Sequence, residues 1–162
     1  DAITLAPLVD TVRIHPVLVL AEADLEQQWT DSRYFPLTIN AAALWSRQVM
    51  EIYEAHNVTV LRVGMQPGPD GLGRAVAGPL HPSLRETVES QRALSRLTAL
   101  LSDVPNGADV VIECAPADVS RPKGAENHNV RVLRDPYRLA SVTVAADPDL
   151  ERGHHRVRRT TQ

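Results

Sequence analysis

Apolar residues in this chain follow two rhythms, short runs that suit strands and a spacing of three and four that suits helices. Residues 11–20, Thr-Val-Arg-Ile-His-Pro-Val-Leu-Val-Leu, read as a buried strand interrupted by Pro16. Arg13 and His15 alternate there with Val12 and Ile14, which puts the two polar residues on one face. A short helix is predicted from Asp24 to about Asp31, followed by the connection Tyr34-Phe-Pro-Leu37. Thr38 reads as the N-cap of a helix running to about His56, with Ala42, Trp45, Val49, Ile52 and Tyr53 as its apolar face. Asn57 is a helix stop and Thr59–Val63 a second strand, so the whole is a strand–helix–strand unit whose helix length suits a parallel crossover.

The segment from Gly64 to Pro82 holds five of the eight glycines and four of the twelve prolines, which predicts a long loop of functional type. Its Gly71-Leu-Gly73 element is not a dinucleotide fingerprint, because Val76 stands where the third glycine belongs and no strand directly precedes it. Ser83 and Glu86 have capping-box spacing at the start of a long helix. Leu84, Val88, Gln91, Leu94, Leu97 and Leu101 lie along one face of it. Pro105-Asn-Gly107 ends this helix and is read as a hinge. A strand at 109–115, a glycine-bearing basic loop, a short helix near 125–134 and a strand at 141–145 follow. The C-terminal stretch carries Arg152, Arg156, Arg158 and Arg159 without apolar periodicity, so 148–162 is expected to be a disordered basic tail.

Composition narrows the function classes. A length of 162 residues suffices for a real core, and 43% hydrophobic with 23% charged residues excludes a disordered or fibrous chain. A net charge of −3 argues against a generally basic nucleic-acid binder but leaves room for a local basic site. No apolar run approaches the roughly 20 residues that span a bilayer, so no membrane partner is expected. No signal-peptide pattern is visible, and a single cysteine forbids an internal disulfide; a cytoplasmic setting is expected.

Chemistry-bearing patterns are few. There is no HExxH motif, no Cys-x-x-Cys pair and no G-x-S-x-G, so neither a metal site nor a catalytic nucleophile is assigned, and Cys114 reads as a buried inert thiol. Arg13 and His15, inside an apolar strand pattern, need partners, either a ligand or an internal hydrogen bond. Arg62 and Gln66 fall at and just past the end of the second strand, where parallel α/β folds place ligand contacts. His81 stands just ahead of a helix N-terminus, in reach of either a ligand or a cap. Lys123 and Gly124 put a cation beside a flexible backbone, which suits phosphate or another anion. With Asn127 and Asn129 they bear some likeness to the GXXG clamp of KH domains, though only one glycine is present.

Taken in order, Leu8-Val-Asp-Thr-Val-Arg13-Ile-His-Pro16, Tyr34-x-Pro36-Leu37 and Val60-Leu-Arg62-Val-Gly64-Met-Gln66 form a series. It continues with Ala77-Gly78-Pro-Leu-His81-Pro82-x-Leu84 through Val88-Glu89-Ser90 and closes with Pro116-x-Asp118-Val-Ser120-x-x-Lys123-Gly124-x-x-x-x-Asn129-Val130. The series resembles the C-terminal half of radical S-adenosylmethionine (radical SAM) proteins similar to the catalytic subunit of Elongator, over about residues 8–145.

That resemblance implies an α/β chain. Residues 1–104 would be the C-terminal strands and helices of a partial TIM-type barrel, and 105–147 a small α+β C-terminal extension. It implies S-adenosylmethionine and a 4Fe-4S cluster as cofactors of the full-length protein, the cluster held by a cysteine motif in an upstream half. Arg13, Arg62 and Gln66 would face the cofactor or substrate. His15, His81, Lys123, Gly124, Asn127 and Asn129 are the expected contacts to substrate or nucleic acid, the substrate being tRNA or another, unassigned one. The cysteine motif, the first half of the barrel and the Gly-Thr pair after the first strand are all absent here, Glu22-Ala23 standing near the last. This chain alone is therefore not expected to be catalytic, and it is expected to need its upstream half. A stand-alone RNA- or partner-binding module and a noncatalytic remnant remain alternative readings.

Overall fold

A computed structural model describes residues 2–65 and 72–160. It divides the chain into two units, Asp1–Val88 and Glu89–Gln162. The division falls inside a long helix and not at Pro105-Asn-Gly107.

The first unit opens with α1 (Ala2–Leu5) and runs through β1 (Thr11–Ile14), β2 (Val19–Leu20), α2 (Asp24–Thr30), α3 (Ile39–Ala55), β3 (Thr59–Val63) and β4 (Ala75–Ala77) into α4 (Leu84–Leu100). Pro16 does interrupt the first apolar run, and the two pieces enter different sheets. β1 pairs in parallel with β3, and β2 pairs antiparallel with β4. Thr38 caps α3 as expected, its Oγ1 accepting from the Ala41 N–H at 3.2 Å, and Asn57 takes a left-handed φ of 60° just past the helix end. The buried face of α3 is Ala42, Ala43, Ser46, Met50 and Tyr53. Trp45, expected on that face, is 59% exposed. Small residues at 42, 43 and 46 let the helix lie close to the strands, leaving no room for an indole between them. Met50 and Tyr53 pack with Val60, Val63, Leu84 and Val88, and with Val12 and Ile14 of β1.

The second unit holds the rest of α4, then β5 (Asp109–Cys114), α5 (Ser120–Lys123), α6 (His128–Arg134), β6 (Ser141–Ala146) and β7 (His155–Thr160). Its sheet has the order β6-β5-β7, with β6 parallel and β7 antiparallel to the central strand. Val110 and Ile112 cluster with Leu97 of α4, Leu101 just past its end and Leu133 of α6.

The expectation of a disordered tail is corrected by β7. Only Val157 of this strand packs against the core, so the sequence shows no apolar alternation. The outward residues are held instead by charge. Arg158 pairs with Glu113 at 2.7 Å, and Arg156 pairs with Asp147 at 3.1 Å and Glu113 at 3.5 Å. The architecture is mixed α/β with small sheets and, among the described residues, no closed barrel.

Candidate functional site

In the first unit the register of β1 and β3 brings two of the expected ligand residues together. Val12 lies opposite Val60 and Ile14 opposite Val63, and these four side chains join the core beneath α3. Between those pairs Arg13 lies opposite Arg62, with a bulge that skips Leu61. Alternation therefore turns both arginines to the face away from α3. Arg13 is exposed and Arg62 half-buried. His15, exposed, follows on the Arg13 side at the carboxyl end of β1. The Gly64 N–H donates to the Ile14 carbonyl at 2.8 Å and ties the two strand ends together. Gly64 has φ 81°, and a Cβ there would meet the Leu84 side chain at 3.0 Å, so the turn after β3 needs glycine.

Gln66 lies outside the described residues. His81 is engaged locally. Its Nδ1 accepts the Ser83 N–H at 3.1 Å just before α4, which fixes the proton of the neutral ring on Nε2.

The basic glycine loop belongs to the second unit and is braced from within. Gly124 has φ 69° and ψ 171°, a conformation open to glycine alone. The Asn129 side chain is buried and its Nδ2 donates to the Arg121 carbonyl at 2.9 Å and to Ser90, carbonyl and hydroxyl, at 3.0 Å. Asn129 is thus a brace of the loop, its amide turned inward. Asn127 is exposed in the left-handed region, and Lys123, half-buried, has no ion pair among the described residues.

Sequence reasoning did not single out Asp118 as a key residue. It is 1% exposed. Its carboxylate accepts from Arg121 at 2.9 Å, from Arg152 at 2.9 and 3.2 Å, and from the Gly153 N–H at 2.7 Å. Burial raises its pKa, but the Gly153 N–H and the two guanidinium groups outweigh that and hold the carboxyl below the usual range. Arg96 donates to the Gly153 carbonyl from the other side at 2.5 Å. The turn that launches β7 is therefore clamped at both ends of one residue. The Asp118–Arg121 spacing of three was the available signal.

Cys114 and His155 lie directly opposite each other on β5 and β7. Cys114 is fully buried, and burial pushes its thiol pKa up. Both ring nitrogens of His155 are buried without a hydrogen-bond partner among the described residues. Burial, then the nearby Arg96 cation, lowers the imidazole pKa.

These residues do not fit the iron–sulfur cluster that the resemblance implies for longer proteins. Such a cluster needs several thiolates, whereas this chain has one cysteine, buried and held protonated. Among the described residues no group of three His, Cys, Asp or Glu could hold a metal ion, and no helix is long and apolar enough to cross a membrane.

No curated protein and no solved structure matches this chain. A family model does, that of the Radical_SAM C-terminal domain, over residues 9–94. The matched span runs from just before β1 into α4 and includes the Arg13–Arg62 pair, while the glycine loop lies beyond it. Because the match takes in more than half of the 162 residues, the chain belongs to the Radical_SAM C-terminal domain family.

Proposed function

We propose that this chain is the C-terminal portion of a radical SAM enzyme of the Elongator-catalytic-subunit-like type, acting on tRNA or another, unassigned substrate. In full-length members of the family the cofactors are S-adenosylmethionine and a 4Fe-4S cluster. The cluster-binding cysteines belong to an upstream half, in the same or a separate polypeptide. In this reading β1, α3 and β3 are part of a barrel wall, with α3 outside and Arg13, Arg62 and His15 on the lumenal side, facing cofactor or substrate.

The observation that carries the reading is the two-sidedness of the β1–β3 pair. One face is apolar and covered by α3; the other carries two arginines, Arg13 exposed and Arg62 half-buried. A free-standing two-stranded sheet gains nothing from such a face, whereas a barrel interior with a polar ligand does. The distribution of exposed apolar residues adds support. Of the sixteen large apolar residues exposed among the described residues, fourteen precede Val88, including Phe35 at 78% and Trp45 at 59%. Exposed apolar surface concentrated in one unit marks a surface built for a partner.

The test is the intact mass of the protein in its native cell. A species about twice the size of this chain, binding iron and cleaving S-adenosylmethionine after cluster reconstitution, supports the reading. A species near 17.8 kDa with no cluster-bearing partner overturns it.

The stand-alone RNA-binding alternative draws on one observation, Lys123 without an ion pair among the described residues beside exposed Asn127. It expects salt-sensitive RNA binding that weakens in Lys123→Ala. The inward commitment of Asn129 removes one of its four expected contacts.

A further inference from the structure

We infer that Arg13 and Arg62 form a recognition site for a phosphate group, and that the substrate presented to this face is a phosphate ester. The inference deepens the reading above and rests on it in taking this face as the substrate side.

The arginines of the first unit divide sharply. Arg33 pairs with Asp31 at 2.9 Å, Arg47 with Glu51 at 3.0 Å, and Arg74 with Glu22 at 3.7 Å. Arg85 donates to the Val60 carbonyl at 2.7 Å. Arg13 and Arg62 alone among the six have no carboxylate and no side-chain hydrogen bond among the described residues. Yet these two are register partners on adjacent strands, where like charges repel. The bulge at Leu61 is what aligns them. Without it Leu61, and not Arg62, would stand opposite Arg13. A bulge that brings side by side two cations with no partner among the described residues, at the carboxyl ends of parallel strands, is the arrangement of an anion site.

The number of charges selects the anion. A carboxylate carries one negative charge and is satisfied by one guanidinium fork. Two adjacent forks match a tetrahedral oxyanion with several acceptor oxygens, which can accept from both at once. His15, on the same side of β1, adds a donor at the rim.

The test is a titration of the isotopically labelled chain with inorganic pyrophosphate, following the Arg13 and Arg62 side-chain Nε–H signals by NMR. Acetate at matched ionic strength is the reference. Saturable shifts at both arginines, with pyrophosphate at least about tenfold tighter than acetate, are expected for two-fork recognition. Arg13→Gln and Arg62→Gln should each abolish the shift at the remaining partner, while Arg33→Gln leaves it intact. Amide spectra of the variants check folding, and Arg13→Lys, which keeps the charge but loses the fork, should weaken binding without abolishing it. Equal effects of acetate and pyrophosphate, shifts that survive both Gln variants, or no shifts at all would overturn the site. A short RNA without terminal phosphates distinguishes the source. Matching shifts assign an internal phosphodiester; silence beside a positive pyrophosphate result assigns a terminal phosphate. The readout needs neither iron nor S-adenosylmethionine, so a failure here leaves the cluster-bearing half to be tested by mass, and the reverse.

Discussion

A Cβ added at Gly124 would stand 2.9 Å from both Cγ and Oδ1 of Asn129, so the smallness of one residue and the inward aim of the other are a single device. Gly124→Ala is expected to destabilise the second unit by about 2 kcal/mol, from backbone strain plus displacement of the amide. Asn129→Ala removes the buried amide that donates to the Ser90 and Arg121 carbonyls; the Ser90 hydroxyl and the Gly124 N–H still reach the Arg121 carbonyl, so a cost of about 1–2 kcal/mol is expected. Denaturant unfolding of the two variants and their double mutant measures both. Because they act on one contact, the double mutant should cost clearly less than the sum.

Asp118 fastens the start of β7. Asp118→Asn removes the charge from a buried carboxylate that holds Arg121, Arg152 and the Gly153 N–H. A loss of about 3 kcal/mol is expected, on the scale of breaking a buried ion pair. Hydrogen exchange should show β7 amides losing protection first. The carboxyl pKa is depressed from 3.8 in the folded state, so its stabilisation is complete above that value and is lost as pH falls through the depressed one.

His155 predicts a second, milder pH dependence. Its imidazole pKa is lowered from 6.5 on folding. The unfolded chain therefore binds the proton more readily, and stability is complete above pH 6.5 and declines as pH falls below it. The groups facing the ring are Cys114 on β5, Arg96 on α4, Asp118, Arg121 on α5 and neighbouring His154. Urea midpoints measured between pH 7.5 and 5 should fall for the wild type and stay flat over that range for His155→Phe.

Cys114 should be inert. With its side chain fully buried and its thiol pKa raised, a thiol reagent at pH 8 is expected to react on the order of 100-fold more slowly than with the unfolded chain. Stopped-flow labelling with and without urea reads the ratio. Prompt labelling of the folded chain would contradict the burial.

Trp45 should matter little to the unit itself. At 59% exposure, Trp45→Ala is expected to change stability by less than about 0.5 kcal/mol. In the proposed complex with an upstream half, the same substitution would weaken association if that face is covered, which a pull-down with the two halves measures.

Elements with a local code were legible in the sequence. Thr38, Asn57 and the strand–helix–strand order of 11–63 follow from capping, turn and periodicity rules that need no distant partner. Spacing alone puts Trp45 on the apolar face of α3, but Ala42, Ala43 and Ser46 call for close approach and the indole stays outside. The missed strand β7 has the same origin at longer range. Arg156 and Arg158 look like solvated charges until Glu113, more than forty residues earlier, is set beside them. The sequence marks Arg13 and Arg62 as ligand residues of one site but not as neighbours. Their side-by-side placement depended on a bulge that no pattern in either strand encodes.

The order of strands also has a temporal side. β5 is central, but its antiparallel neighbour is made last. For about one to three seconds at ordinary synthesis rates, between the emergence of β6 from the ribosome and that of β7, the nascent unit has the other edge of β5 open. During that interval Glu113 has no arginine to answer it, and its solvated charge guards the bare edge against pairing with another chain.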